Sequence, residues 1–200
     1  EDGRTVTSGE VLADILTYCA FIRRGGVTLS GGEPLLQPAF ACALLDGCRE
    51  QRLHSAIDTS GAVPLDDSRP ALDRADLILL DVKAVDEDLC RALTGADSGN
   101  TLATLEYCES AGRPVWIRHV LVPGYTLDRA RLARLADRLA RFTCVRKVEL
   151  LPFHKLGEYK WAALRLPYAL SDTPVPTAEE LAWAREIFCA RGLPVGDDRR

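Results

Sequence analysis

The stretch Gly26-Val27-Thr28-Leu29-Ser30-Gly31-Gly32-Glu33-Pro34 decides how this chain is read. A short apolar run stops at two glycines and a carboxylate, so bare backbone can approach a ligand where the strand ends. In α/β proteins the carboxyl ends of the strands are where ligands bind. A glycine pair alone would indicate only a turn. Comparable clusters recur at Asp58-Thr59-Ser60-Gly61, Asp81-Val82-Lys83, Arg118-His119 and Leu151-Pro152-Phe153-His154. Five polar clusters at the ends of five apolar runs point to one shared site.

Between these runs lie helical patterns, the alternation of a parallel sheet wrapped by helices. Thr7 and Glu10 are spaced as a capping box ahead of a helix that carries Val11, Leu12, Ile15, Leu16, Cys19 and Ile22. Strands are predicted at 27–29, 53–57, 77–80, 115–120 and 147–151. Helices are predicted at 37–51, 70–74, 86–93, 102–111, 127–141 and 177–191. An open doubly wound sheet and an incomplete barrel both fit this order. Contributions from every strand favour the barrel wall, because a doubly wound sheet gathers its ligand groups at one switch point. A single domain over 1–200 is expected.

The composition is that of an ordinary globular chain, with 47% hydrophobic and 27% charged residues. A net charge of −4 offers nothing to a nucleic acid or other polyanion. No apolar run has the length of a membrane span and no signal peptide opens the chain, so a cytoplasmic protein without a membrane partner is expected. The seven cysteines, Cys19, Cys42, Cys48, Cys90, Cys108, Cys144 and Cys189, contain no Cys-x-x-Cys pair; six read as small buried hydrophobes of amphipathic helices, and Cys144 lies between a helix and the next strand. A serine nucleophile elbow, a Walker loop, Gly-x-Gly-x-x-Gly and a zinc motif are all missing.

Asp58 and Asp81 follow aliphatic runs, where a carboxylate needs a cation, a metal or several donors. Lys83 shares a strand face with Asp81 by alternation. An internal Asp81–Lys83 or Asp58–Lys83 pair would satisfy these charges by itself. Arg118, whose fork suits a carboxylate, and His154 at the same rim shift the balance towards a zwitterionic or carboxylate-bearing ligand. His119 points away from Arg118 and reads as a packed or surface residue rather than a catalytic one.

Taken together, several runs resemble the pyruvate formate-lyase activating enzyme family, the glycyl-radical activases of the radical S-adenosylmethionine (SAM) superfamily. They are the stretch 26–37, His54-Ser55-Ala56-Ile57-Asp58-Thr59-Ser60-Gly61, Leu79-Leu80-Asp81-Val82-Lys83, Val115-Trp116-Ile117-Arg118-His119, Val122-Pro123-Gly124-Tyr125-Thr126 and Leu151-Pro152-Phe153-His154-Lys155-Leu156-Gly157, ending in Tyr159-Lys160-Trp161. The resemblance implies an α/β fold, a partial (β/α) barrel with parallel strands. It also implies a 4Fe-4S cluster whose open iron chelates S-adenosyl-L-methionine. Reductive cleavage would give a 5′-deoxyadenosyl radical that takes a hydrogen atom from a backbone glycine of pyruvate formate-lyase, with flavodoxin or ferredoxin as electron donor.

Carried over residue by residue, Gly31, Gly32 and Glu33 would bind the cofactor at its methionyl amino group. Asp58 would sit beside that group, with a monovalent cation at Asp58, Thr59 and Asp81. Asp81, Val82 and Lys83 would line the methionyl and ribose end, Arg118 would meet the carboxylate or the peptide, and Leu151 and His154 would flank the adenine. The family's Cys-x-x-x-Cys-x-x-Cys cluster loop has no counterpart here. With no methionine in the chain, the expectation is a fragment that starts downstream of that loop and lacks the first strand. Activation of a different glycyl radical enzyme, and a cluster-less barrel acting as a binding module, are the alternatives.

Overall fold

The computed structural model describes residues 3–196. Its α/β architecture follows the predicted alternation, with five strands in the order β1-β2-β3-β4-β5. The chain divides into two compact units, 1–81 with 99–116, and 82–98 with 117–200.

In the first unit, the capping box closes as predicted. Thr7 Oγ1 accepts the Glu10 N–H at 3.2 Å and Glu10 Oε2 accepts the Thr7 N–H at 2.7 Å. The helix is shorter than its apolar period suggested: α1 (Ser8–Thr17) breaks at Tyr18, and α2 (Cys19–Ile22) follows as a single turn. Gly26 then adopts φ +90°, where a Cβ would stand 2.3 Å from the His54 carbonyl oxygen, so only glycine admits this entry into β1 (Val27–Leu29). A 3-10 turn over Pro34–Leu36, unforeseen in the sequence, leads into α3 (Pro38–Glu50).

Strand β2 (Ser55–Thr59) runs two residues later than predicted. Leu53, assigned to it, is instead buried before the strand, and its N–H caps the Cys48 carbonyl of α3 at 2.9 Å. Helix α4 (Leu65–Leu72) starts five residues earlier than predicted. Here Pro64 precedes the helix, Asp66 and Asp67 supply the acidic first turn, and Pro70 lies inside. Strand β3 (Leu77–Asp81) pairs with β2, and β2 with β1, both in parallel. Ile57, Ile78 and Leu80 are fully buried, as are Leu45 of α3 and Leu72 of α4.

The second unit opens with α5 (Glu87–Thr94), stopped by the left-handed Gly95. Helix α6 (Gly99–Ser110) belongs to the first unit and buries Thr104, Leu105 and Cys108. Strand β4 (Val115–Leu121) alternates cleanly: Val115, Ile117, His119 and Leu121 are buried, while Trp116, Arg118 and Val120 are half-exposed. Helix α7 (Arg129–Leu139) buries Leu132, Leu135, Ala136 and Leu139. After β5 (Val145–Pro152) comes a short helix not read from the sequence, α8 (Glu158–Leu164). The last helix, α9 (Ala178–Cys189), packs on α7 and repeats the first capping box with Thr177 and Glu180. Beyond it, Val148 donates its N–H to Pro194 at 2.9 Å and accepts that of Gly196 at 3.0 Å. No helix among the described residues is long and apolar enough to cross a membrane.

Candidate functional site

Glu33 organises the strand ends of the first unit. Its Oε1 accepts the Thr59 hydroxyl at 2.8 Å and the Leu35 N–H at 3.2 Å. Its Oε2 accepts the Ser60 N–H at 2.9 Å and the Ser60 hydroxyl at 2.6 Å. The carboxylate thus ties the Gly31-Gly32 turn to the end of β2, with both oxygens turned onto protein donors. Gly31 sits at φ +148° and a Cβ there would meet nothing within 4 Å, so the turn presents backbone to open space.

The register of β2 and β3 decides which carboxylates share a face. Asp58 is level with Leu79 and Thr59 with Leu80. Alternation therefore places Asp58 and Asp81 on one face, which is half-exposed, and the Thr59 side chain on the other. Thr59 is 2% exposed, and its hydroxyl is occupied by donating to Glu33 and accepting the Gly61 N–H at 2.9 Å. Of the three residues expected around a cation, the two aspartates share a face and the threonine side chain does not join them. Ser30 completes the aspartate face by donating its hydroxyl to Asp58 Oδ2 at 3.3 Å. Sequence reasoning gave Ser30 and Ser60 no role. Their position directly after the apolar runs was the available signal.

In the second unit, Val82 is 1% exposed and Lys83 is half-exposed beside it. The Val82 N–H extends the sheet ladder by donating to the Arg118 carbonyl at 2.9 Å. Arg118 lies on the half-exposed face of β4. Leu151 is half-exposed near the end of β5, and His154 is exposed two residues past the strand. The His154 Nδ1 accepts the Leu156 N–H at 3.4 Å, so in that tautomer the ring proton is on Nε2.

The cysteines do not form a cluster site. Iron–sulfur ligation needs thiolates gathered at one place, and among the described residues no three His, Cys, Asp or Glu side chains converge on a point. Of the six cysteines expected to be buried in helices, Cys48, Cys90 and Cys108 are, whereas Cys19 and Cys42 are half-exposed and Cys189 is exposed; Cys144, ahead of β5, is buried. Desolvation pushes the Cys108 thiol up to about 12, far from thiolate character. The described residues do not fit a 4Fe-4S cluster. They do fit the amino-acid end of a zwitterion, with open backbone at Gly31 and a paired-aspartate face suited to an ammonium group.

Residues 1–136 match the family model described as the Radical SAM superfamily, and the chain belongs to that superfamily. It is 41% identical over 172 residues to the pyruvate formate-lyase-activating enzyme of Clostridium pasteurianum, covering 85% of this chain and 72% of that protein. It is 38% identical over 204 residues to the enzyme of the same name from Staphylococcus aureus, covering 98% of this chain and 81% of that one. A crystal structure of a domain of pyruvate-formate lyase-activating enzyme from Bacteroides vulgatus superposes with a TM-score of 0.73 at 25% identity, over 86% of this chain and 98% of that domain. Membership therefore narrows to the pyruvate formate-lyase-activating enzymes, a family that works with S-adenosylmethionine and a 4Fe-4S cluster.

Proposed function

We propose that this chain is the S-adenosylmethionine-binding core, one domain in function, of an activase that installs a glycyl radical on pyruvate formate-lyase. The observation that carries the reading is the aspartate face beside the open Gly31-Gly32 turn, within a chain 41% identical to a named activase.

In this reading Gly31 and Gly32 offer backbone carbonyls to the methionyl ammonium, and Glu33 keeps that turn against Thr59 and Ser60. Asp58 and Asp81 supply the negative charge that an ammonium, or a monovalent cation beside it, requires. Lys83 meets the carboxylate, with Val82 as the adjoining wall. Arg118 serves the carboxylate or the incoming peptide through its planar fork. Leu151 and His154 flank the adenine, the histidine donating from Nε2. The apolar members exclude water from a reactive carbon centre.

When bound, the cluster and S-adenosylmethionine would supply one-electron radical chemistry, with an electron from a donor of the flavodoxin or ferredoxin kind and a hydrogen atom from a backbone glycine of the partner; the residues above would hold the methionyl and adenine ends in place for it. A cytoplasmic setting follows from such partners.

The test is anaerobic incubation of the natural protein with reductant, S-adenosylmethionine and pyruvate formate-lyase, read by electron paramagnetic resonance. A glycyl radical signal on pyruvate formate-lyase is the expected result. Signal only on another glycyl radical enzyme would reassign the partner, and cofactor binding without radical on any of them would overturn the activase.

A further inference from the structure

We propose that His119 is a positioning residue for the cofactor: it fixes the Val82-Lys83 backbone from which Lys83 reaches the ligand. This rests on the reading of Lys83 given above.

The strand ends here form a parallel ladder. A strand residue that donates to a neighbour's carbonyl accepts, in a continuing ladder, from the N–H two residues further along that neighbour. Val82 donates to the Arg118 carbonyl at 2.9 Å, so the Val120 N–H would be the regular donor to its own carbonyl. The His119 side chain takes that place: its Nδ1 lies 2.7 Å from the Val82 oxygen. A carbonyl only accepts, so the proton is on Nδ1. This substitution lets the chain leave the sheet after β3, which ends at Asp81, without abandoning a buried carbonyl.

The ring has no latitude. His119 is 3% exposed, and the gap it shares with Asp86, Leu89, Thr126, Arg131 and Leu135 is about 10 Å3, room for at most one water. The segment is anchored at its far end as well. Asp86 accepts from Arg131 Nε at 3.2 Å and from Arg134 at 2.8 Å, both on α7. Lys83 therefore stands between two fixed points, and removing one of them loosens its backbone while leaving its side chain in place.

The test measures S-adenosylmethionine affinity of the natural, cluster-bearing protein by calorimetry, with thermal melting alongside. Asn places an amide N–H near the position of Nδ1, whereas Gln places one near Nε2. His119→Asn should bind within about twofold of the parent, and His119→Gln and His119→Ala about tenfold more weakly, the worth of one hydrogen bond. In a Lys83→Ala background His119→Gln should add little further loss. A purely structural histidine would lower the melting temperature with affinity unchanged, or lose affinity equally with and without Lys83, and either result overturns the proposal. Unchanged affinity in Lys83→Ala alone would instead overturn the reading of Lys83, and the positioning role with it. Should His119→Ala fail to fold, the Asn and Gln pair decides.

Discussion

Glu33 grips Ser60 through a single carboxylate oxygen, which accepts both the Ser60 N–H at 2.9 Å and the Ser60 hydroxyl at 2.6 Å. The other oxygen holds Thr59 and Leu35. The glutamate of the Gly-Gly-Glu-Pro run is thereby a clamp between two loops, and the glycines before it border open space. Glu33→Ala strands several part-buried donors and should lower stability by about 2–4 kcal/mol in urea unfolding, with Glu33→Gln in between. A loss below about 0.5 kcal/mol would contradict the clamp.

Two glycines near the site should separate fold from ligand. At Gly61, φ is +65° and a Cβ would lie 2.9 Å from Leu80 Cδ1 and 3.0 Å from Thr101 Cα. Gly61→Ala should cost roughly 2 kcal/mol or more in unfolding free energy. Gly31→Ala meets no neighbour and should cost only the backbone strain, about 1 kcal/mol. Its effect on S-adenosylmethionine affinity should be the larger one, read by calorimetry on both variants.

Thiol labelling at pH 8 with a maleimide, followed by mass spectrometry, should mark the exposed Cys189 first. The buried Cys48 and Cys108, whose thiols desolvation pushes up, should resist until the chain unfolds. Early labelling of Cys108 would contradict the burial of α6.

Both capping glutamates, Glu10 and Glu180, are held below the ordinary value of 4.5, first by the backbone N–H of Thr7 or Thr177 and then by the threonine hydroxyl. A depressed carboxylate stabilises the fold above its unfolded value, and that contribution is lost as pH falls from 4.5 through the lowered one. The Glu10→Gln, Glu180→Gln double variant should show a flatter fall of the urea midpoint between pH 5 and 3, by about a few tenths of a molar. An unchanged slope would mean the caps do not titrate.

The strand-end logic was legible because it is local. Alternation at Trp116 to Leu121 and the glycine pair after Leu29 are read within a few residues, and the structure reproduces both. The grip of Glu33 on Thr59 and Ser60 spans 26 and 27 residues, so no local pattern announces it. The side of β2 on which the Thr59 side chain lies depends on register and pleat, which no local pattern supplies. From the sequence His119 reads as packed or surface; it is buried, and its bond to the Val82 carbonyl spans 37 residues, so no local pattern announces it. Helix α4 starts five residues before the predicted position, with Pro64 at its cap and Pro70 inside.

The central claim is that the strand-end charges bind S-adenosylmethionine. The most direct measurement is the cofactor's affinity for the natural protein against Asp58→Ala and Lys83→Ala, by calorimetry, with the cluster content of each sample checked by its absorption. The account predicts that both variants keep the cluster and bind about tenfold or more weakly, as loss of a charge-assisted contact entails. Unchanged affinity in both would contradict it.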